Sequence, residues 1–331
     1  MTGVQTCALP ISPIFEEGGR AYYPDTQDDI LGGELDDVEY AAIVLENQHL
    51  ELTVLPDLGG KIWKVLDKNA GRDAVFTPKR IKPGLIHRSG AWIPGGMEFN
   101  FPVGHNIRAM RPVPCSVVDR GPDCAAARIR IECARTGMRM DVTVSLKAGE
   151  ARFGIEYVVS NPTPFRHRWY QWTNVGVATG ERWQFLGKAK LYTTIHRVHD
   201  YPVDASGMDS SWQVNRQFPS DSFMVGLRED FFGCYDHDLH HGIAHIAPWR
   251  DVAGKKYFTW GNIRRDYDAE RAFSDSGENY LEIQAGPFET QKTFEVLQPG
   301  EGRRYSTTWI PFSHTGGIEW ADEGVILNVI D

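Results

Sequence analysis

Apolar and polar residues alternate with a period of two in many short segments of this chain, which is the pattern of half-buried β-strands. The clearest of these segments are residues 41–55, 126–134, 138–146, 152–161, 255–262, 279–286 and 292–300. Clusters of Gly, Pro, Asn and Asp separate the segments, as turns do between strands. No window of helical length has a clean apolar stripe with a 3.6-residue period. The pattern predicts an all-β fold, built as a large antiparallel β-sandwich.

The first twelve residues break this pattern. The segment TGVQTCALPI resembles the translation of a common sequencing adapter, carries no charge and has no continuity with the FEEGGRAYYP that follows. We therefore interpret residues 1–12 as an adapter-derived artefact and residues 13–331 as one β-domain, a fragment of a longer protein. A secretory signal is the alternative, but the segment lacks a basic start, and Gln5, Thr6 and Pro10 interrupt its apolar stretch.

Composition and charge narrow the range of partners. The 331 residues carry a net charge of −9, which argues against a nucleic-acid backbone or an anionic membrane surface as the main partner. No apolar run approaches the roughly 18 residues of a membrane span. The chain is rich in turn-forming and aromatic residues, with 33 Gly, 19 Pro, 10 Trp, 12 Tyr and 16 Phe. This excess favours a β-rich protein with a binding surface that stacks on its ligand.

Four cysteines lie beyond the first twelve residues, at Cys115, Cys124, Cys133 and Cys234. No two of them have CxxC spacing, so we expect no zinc site, and we expect no cofactor. Cys115 and Cys124 could bridge a hairpin, but we favour free, buried thiols. Cysteine usage leaves the compartment open, with a slight preference for the cytoplasm.

The segment GAWIPGGMEFNFPVGHN, at 90–106, carries the strongest chemical signal. It places Glu98, Asn100 and His105 among glycines, prolines and aromatic residues. A sugar needs this combination, because its CH faces stack on aromatic rings and its hydroxyls take paired donors and acceptors. A Gly-rich surface loop with incidental polar residues is the alternative.

The segment YLEIQAGPFETQ, at 280–291, contains a second candidate carboxylate. Glu282 and Gln284 sit two residues apart on a predicted strand, so they share one face. A core face would bury both groups at considerable cost, and we therefore expect the face to line a cleft. Partial burial there would raise the pKa of Glu282 and suit it to acid/base chemistry.

Two further segments add candidate binding residues. In HRWYQWTNVGVA, Trp172 and Asn174 contribute to a polar and aromatic strand face, for which a core tryptophan with a satisfied amide is the alternative. In LPDLGGKIWKVL, Gly59 and Gly60 precede Lys61, and paired glycines let the backbone bend or approach a ligand closely. A β-bulge without a ligand is the alternative there.

Histidines cluster in the segment FFGCYDHDLHHGIAHIAPW, at 231–249. A metal would need His237 and His245 to face one another across a predicted hairpin, and the spacing matches no standard helical zinc motif. We favour a turn that bears solvated histidines.

Taken in order, the motifs GGK, GAW, GGMEFNFP, GH, WTN, FTWGN and EIQAG resemble a bacterial domain family of unknown function that is often found ahead of tetratricopeptide repeats. The resemblance extends over residues 38–328 and implies a galactose-mutarotase-like β-supersandwich with a concave, carbohydrate-binding face. The implied partners are a mono- or oligosaccharide and a C-terminal repeat region that this fragment lacks.

The resemblance also implies catalytic roles. In mutarotases a His acts as general acid and a late Glu on a strand acts as general base, and Glu282 has the comparable late position. The acid has no direct counterpart, because the comparable stretch at 172–175 contains no His. Glu98 or His105 could replace it, and a Glu98/Glu282 pair would suit glycoside hydrolysis.

Three functions remain open at this point. The first is a carbohydrate-active enzyme, a glycoside hydrolase or an aldose epimerase, with Glu282, Glu98 and His105 as catalytic candidates. Its expected substrate-binding residues are Lys61, Trp92, Phe99, Asn100, Trp172, Asn174, Trp260 and Gln284. The second is a non-catalytic carbohydrate-binding module attached to a repeat region. The third is a structural interaction domain whose Trp and Gly residues only pack.

Overall fold

Strands dominate the computed structural model. It describes residues 3–7, 35–87, 90–102, 104–106, 108–194, 197–261, 274–275 and 278–329. The strands are β1 (Gly3–Cys7), β2 (Leu35–Glu39), β3 (Ile43–Glu46), β4 (Leu50–Leu55), β5 (Lys61–Asp67), β6 (Arg72–Asp73), β7 (Arg80–Ile81), β8 (Gly84–His87), β9 (Gly90–Trp92), β10 (Met97–Asn100), β11 (Cys115–Arg120), β12 (Cys124–Glu132), β13 (Arg139–Lys147), β14 (Phe153–Ser160), β15 (His167–Trp169), β16 (Trp172–Ala178), β17 (Trp183–Leu186), β18 (Leu191–Thr193), β19 (Val198–Asp200), β20 (Ser220–Val225), β21 (Phe231–Asp236), β22 (His241–Ile246), β23 (Gly254–Thr259), β24 (Tyr280–Gly286), β25 (Glu295–Leu297), β26 (Gly302–Ser313), β27 (Trp320–Ala321) and β28 (Ile326–Leu327). The described residues also form 3₁₀ turns at Pro56–Leu58 and Gln213–Asn215.

Two antiparallel sheets form the body of the fold. Among the described residues, the large sheet has 11 strands in the order β19-β18-β20-β23-β24-β16-β10-β5-β4-β3, with β6 beside β5. The second sheet has 8 described strands in the order β11-β12-β13-β14-β26-β22-β21-β17. The architecture confirms the all-β sandwich that the sequence pattern predicts.

The main core lies between these two sheets. Buried and half-buried residues alternate along β14, so one face of the strand packs inward and the other approaches solvent. Phe99 of β10 packs edge-on against Tyr157 of β14, with ring centres 6.1 Å apart. The hydroxyl of Tyr157 also lies 2.6 Å from that of Thr173 on β16, and this hydrogen bond ties the sheets together.

The central strands of the large sheet are buried on both faces. In β10, β16 and β24 the buried residues run almost without interruption. The inward face is apolar and includes Val175 and Ile283 in the main core. The outward face carries carboxylates and amides instead, and it positions the candidate site.

Part of the segment that the sequence assigns to an adapter is described. Gly3–Cys7 form β1, which pairs with β2 and, in parallel, with β7. The other residues of the first twelve lie outside the described part of the chain, and the adapter assignment stays a prediction. The described residues contain no helix that is long and apolar enough to cross a membrane.

The four cysteines beyond the first twelve residues are free. Cys115 lies opposite Ile129 in the β11–β12 hairpin, whereas Cys124 lies opposite Lys147 of β13. The alternative of a disulfide across this hairpin is therefore wrong. Free thiols are confirmed, but only two of the four, Cys133 and Cys234, are buried.

Candidate functional site

Four polar side chains stand directly opposite one another on adjacent strands of the large sheet. They are Glu98 of β10, Asn174 of β16, Gln284 of β24 and Lys256 of β23, and we call them the polar row. All four are buried. Because residues two apart on a strand share a face, Glu282 lies beside the row on the same face.

Glu98 is a carboxylate that the protein holds in its ionised form. Trp92 Nε1 donates to Oε2 over 3.0 Å, and His105 Nδ1 lies 3.2 Å from the same oxygen. The backbone N–H of Asn106 donates to Oε1 over 3.3 Å. Burial raises the pKa of Glu98, but His105, Lys61 and the hydrogen bonds outweigh burial and lower it to about 2. Glu98 is therefore an acceptor at neutral pH and not a proton donor.

His105 takes its orientation from Glu98. An ionised carboxylate offers only acceptors, so the imidazole donates its Nδ1–H to Glu98. The ring meets Trp92 and Trp172 edge-on, with ring centres 6.1 and 5.4 Å apart. The side chain of His105 is 23 % exposed, against 3 % for Glu98. His105 is therefore the accessible member of the pair.

Lys61 ties the connection between β9 and β10 to the sheet. Its ammonium donates to the carbonyls of Ile93 and Gly95, to the latter over 2.9 Å. Burial lowers the pKa of Lys61 to about 8, against the attraction of Glu98 and Glu282. Lys61 therefore holds the connection in place and puts a positive charge near Glu98 and Glu282. Its direct contact with a substrate stays a prediction.

A glycine lets this connection lie against the sheet. Gly176 of β16 stands opposite Glu282, and a Cβ atom at Gly176 would come within 2.8 Å of the Cα atom of Gly95. Gly95 and Gly96 have φ angles of 75° and 61°, which favour glycine. Gly95 and Gly96 therefore let the backbone of the segment 90–106 lie close to β16 beside the polar row.

Glu282 is the second carboxyl group of the site. Gln284 Nε2 donates to Glu282 Oε2 over 2.9 Å, and the side chain of Asn174 also hydrogen bonds Glu282. Burial raises the pKa of Glu282, whereas the hydrogen bond with Asn174 and the interaction with His105 lower it. Burial has the larger effect, so the pKa is raised overall. The strand register separates Glu282 from Glu98 by two strands and two residues, about 12 Å between Cα atoms. Glu282 can therefore hold or release a proton where Glu98 cannot.

Aromatic rings flank the polar row on both sides along the strand direction. One side is formed by Phe76, Trp92, Trp260 and Tyr280, which pack together. On the other side Trp172 lies against Tyr170, with ring centres 5.3 Å apart, and Tyr170 stacks on Phe288. The site therefore offers hydrogen-bonding groups between two aromatic walls.

Four buried polar atoms around the row have no hydrogen-bond partner among the described residues. They are Asn100 Nδ2, Trp172 Nε1, Asn174 Oδ1 and Gln284 Oε1. The register places all four side chains on one face, since Asn100 lies opposite Trp172 and Asn174 lies opposite Gln284. Buried polar atoms in proteins are almost always paired with protein, water or ligand. The two donors and two acceptors match the mixture that sugar hydroxyls satisfy.

Phe99 corrects one expectation from the sequence. It lies between Glu98 and Asn100 on β10, so the alternation of the strand turns its ring to the opposite face. There Phe99 is 1 % exposed and packs in the core against Tyr157. It cannot stack on a ligand at the polar row. The other expected site residues lie on or beside the polar face, and their roles stay predictions.

The histidines around the β21–β22 hairpin are not arranged as expected. His245 lies opposite Phe232, not opposite His237, and it is fully buried. His241 is buried as well, with its Nε2 3.1 Å from Asp67 Oδ2. The expectation of solvated histidines is wrong for these two, because β22 begins at His241 and carries both into the sandwich. In the described part of the chain no His, Cys, Asp and Glu side chains form a group of three or more that could hold a metal ion.

Lys256 is a member of the polar row that sequence reasoning missed. Its ammonium lies 2.8 Å from Asp221 Oδ1 and faces the rings of Trp172 and Phe223, at 5.8 and 4.8 Å from their centres. A signal was available, because the alternation in KKYFTWGN places Lys256 on the same face as Trp260.

Comparison with known proteins adds a family and a fold. A family model described as "Domain of unknown function (DUF5107)" matches residues 20–312. A solved TPR-domain containing protein from Parabacteroides distasonis has a TM-score of 0.78 at 23% sequence identity. The match covers 91% of this chain and 51% of that chain, so the chain spans about half the length of that protein.

Shorter solved proteins match over nearly their whole length. A galactose mutarotase-like protein from Lactobacillus casei has a TM-score of 0.55 at 9% identity, with 82% of this chain and 100% of that chain covered. The Slr1438 protein from Synechocystis sp. has a TM-score of 0.62 at 12% identity, with 84% and 97% covered. Likeness at these identities shows the fold, which is galactose mutarotase-like.

Proposed function

The chain belongs to the DUF5107 family, and from that premise we propose that its mutarotase-like domain binds a sugar over the polar row and interconverts its anomers by proton transfer at the anomeric hydroxyl and the ring oxygen. The observation that carries the proposal is the group of four unpaired polar atoms beside two ionisable side chains, His105 and Glu282. Unpaired buried donors and acceptors favour a ligand with many hydroxyls. The aromatic walls fit the CH faces of a pyranose ring.

Two groups in different environments supply the chemistry. Glu282 has a raised pKa, which makes it a stronger base than an exposed carboxylate. His105 is held through its Nδ1 by the ionised Glu98, and its side chain is 23 % exposed. Glu282 is therefore the proposed general base and His105 the proposed general acid, with Glu98 as the group that positions His105.

The proposed reaction conserves atoms and oxidation state. Glu282 accepts the proton of the anomeric hydroxyl while His105 gives a proton to the ring oxygen, and the bond between the anomeric carbon and the ring oxygen breaks. The resulting open-chain aldehyde rotates about the bond to its neighbouring carbon. The released hydroxyl then attacks the other face of the carbonyl, the two protons return, and the opposite anomer forms.

Two-carboxylate glycoside hydrolysis has less support from this geometry. That chemistry needs one carboxyl group to donate a proton and the other to act as base or nucleophile. Glu98 accepts hydrogen bonds on both oxygens, and only 3 % of its side chain is exposed, so neither oxygen is free to reach a substrate. A role for Glu98 behind His105 accounts for these contacts better than direct attack on a substrate.

Mutarotation of freshly dissolved single-anomer aldoses tests the proposal, followed by polarimetry or proton NMR across a panel of sugars. We expect saturable rate enhancement with at least one aldose. The variant Glu282→Gln keeps the shape of the side chain and should lower the rate about 10²–10⁴-fold, the usual contribution of a general acid or base.

The matched control is Glu156→Gln on β14, because Glu156 is a half-exposed carboxylate that pairs loosely with Arg304 at 3.7 Å. It should leave the rate unchanged. If no aldose binds saturably and none is converted faster than in buffer, the proposed function is wrong.

A carbohydrate-binding module is the second candidate. It is favoured by the matched TPR-domain protein, of which this chain covers only 51%, since a module attached to a repeat region would have that arrangement. Saturable binding of a sugar without any rate enhancement, with binding weakened in Gln284→Leu, would select this function. Gln284→Leu removes an unpaired acceptor from the polar row without touching His105.

A further inference from the structure

A second concave site lies on the opposite side of the sandwich from the polar row. It is a cavity of about 420 Å³ where the loops after β20 and β22 meet the β27–β28 hairpin, and we call it the outer groove. Phe231, Ile246 and Ala321 form its apolar floor. Since Phe232 points into the main core, Phe231 and the groove lie on the outer face of the second sheet. The volume is within the usual range for a small-molecule site.

Two tryptophans stand at the outer groove. Trp320 on β27 is 46% exposed. Trp249 is half-buried and fixed by its backbone N–H, which donates to Asp230 Oδ1 over 2.7 Å. An exposed indole at the edge of a preformed cavity provides a large, rigid surface for the CH face of a ligand.

The charges of the groove favour a neutral ligand. Its lining carries four carboxylates, from Glu229, Asp230, Asp322 and Glu323, which disfavour a phosphate, a nucleic acid or an anionic lipid. The guanidinium groups of Arg228 and Arg250 already lie over the ring of Trp249, at 5.5 and 4.8 Å from its centre, and disfavour a cation there. Carboxylate acceptors and guanidinium donors beside an indole suit hydroxyl groups.

Side-chain hydrogen bonds hold the rim of the groove in one conformation. Asp322 Oδ1 accepts the backbone N–H groups of Gly324 and Val325, over 2.7 and 2.9 Å, and fixes the hairpin turn. Glu323 Oε1 accepts from the hydroxyl of Thr308 over 3.0 Å. A braced rim loses little conformational freedom when a ligand binds.

From these observations we propose that the outer groove is a second saccharide-binding site, which takes a neutral oligosaccharide by stacking on Trp320. It is separate from the polar row and does not depend on catalysis there. Each site would bind its ligand without the other.

NMR of the full chain with isotope-labelled tryptophan tests the proposal. The probes are cellohexaose, maltohexaose, xylohexaose and chitohexaose, each titrated to millimolar concentration. We expect the indole N–H signal of Trp320 to shift saturably with at least one of them. Followed through the indole N–H signal of Trp249, which also lines the groove, Trp320→Ala should weaken binding at least tenfold, and Trp320→Phe should restore part of it.

Two controls separate this site from the polar row. Phe165→Ala removes a ring on another loop that is even more exposed, at 69% against 46% for Trp320, and should leave the titration unchanged. Glu282→Gln should also leave the shift of Trp320 intact, whatever happens to mutarotation. The proposal is overturned if no neutral oligosaccharide shifts Trp320 saturably, or if only oligolysine or inorganic phosphate does so.

Discussion

Two carboxylate–imidazole pairs in the described part of this protein have almost the same separation and very different surroundings. Glu98 and His105 lie 3.2 Å apart at the polar row, and Asp67 and His241 lie 3.1 Å apart between the two sheets. The imidazole of His241 is only 7% exposed, whereas that of His105 is 23% exposed. One pair faces a candidate ligand site and the other faces only protein.

The partners of the two carboxylates also differ. Asp67 Oδ1 accepts the backbone N–H groups of Asn69 and Ala70, which close the turn after β5. Burial raises the pKa of Asp67, but the hydrogen bonds of His241 and the turn outweigh it and lower the pKa. The pair joins β5 of the large sheet to β22 of the second sheet, so it has a structural explanation.

The contrast shows that a close carboxylate–imidazole pair is not by itself a sign of catalysis. Structural ion pairs perturb pKa values as functional ones do. What distinguishes the pair at the polar row is its setting: an accessible imidazole, a second carboxyl group with a raised pKa, and unpaired polar atoms beside it. Variants of the two pairs can test whether the first acts in catalysis and the second only in stability.

Replacing His105 should have the largest effect on activity. In His105→Ala the proposed general acid is gone, so we expect the mutarotation rate to fall about 10²–10⁴-fold. In His241→Ala the rate per folded molecule should be unchanged. Equal losses of rate in the two variants, measured at matched folded fractions, would remove the distinction between the pairs.

Replacing His241 should have the larger effect on stability. His241→Ala leaves Asp67 buried without its imidazole partner, and we expect the free energy of unfolding to fall by about 3 kcal/mol in urea titrations. His240→Asn is the neighbouring control, because His240 is exposed with a φ of 51°, which Asn tolerates. A loss in His241→Ala no greater than in this control would show that the pair does not hold the sheets together.

Glu98 should make stability depend on acid pH. Its pKa falls from the ordinary 4.5 to about 2 on folding, so its contribution is complete above pH 4.5 and is lost as the pH falls towards 2. The full contribution is about 3 kcal/mol. We expect the free energy of unfolding of Glu98→Gln to depend less on pH over this range. An unchanged dependence on pH would contradict the lowered pKa of Glu98. Asp67→Asn should also weaken this dependence, since the pKa of Asp67 is lowered too.

Replacing Lys61 should have the smallest effect of these changes. Lys61→Met removes a cation beside Glu98 and leaves the carbonyls of Ile93 and Gly95 without their donor, at a cost of about 1–3 kcal/mol. The pKa of Glu98 should rise, because Lys61 helps to lower it. Lys64→Met on the same strand is the control. Lys64 is half-exposed and its ammonium lies 3.9 Å from the carboxylate of Glu51, and an exposed ion pair this loose contributes little to stability.

The sequence predicts the strands and much of the polar face, because both depend on local alternation. The two-residue spacing of Glu282 and Gln284 predicts their common face, and they do share it. The same rule applied to Glu98 and Asn100 places Phe99 on the opposite face, so the expectation that Phe99 stacks on a ligand contradicts the alternation of its own strand.

Contacts between distant segments are what the sequence leaves open. Asp67 and His241 are 174 residues apart, and no local pattern relates them. The partnership of Lys256 with Gln284 depends on β23 pairing with β24, which is a matter of sheet order and not of periodicity. The state of Glu98 likewise depends on Lys61 from another strand. Burial and charge at the site could therefore be assigned only from the three-dimensional structure.

The strand order of the large sheet has a consequence for how the protein is made. The polar row takes its members from positions 98, 174, 256 and 284, and β24, which carries two of the site's side chains, is the last of these strands to leave the ribosome. Until β24 inserts between β16 and β23, both strands have an open edge with buried polar groups and no partner. Such long-range pairing forms slowly. A nascent chain that stops short of residue 280 would therefore need protection from aggregation, and its polar row would be incomplete.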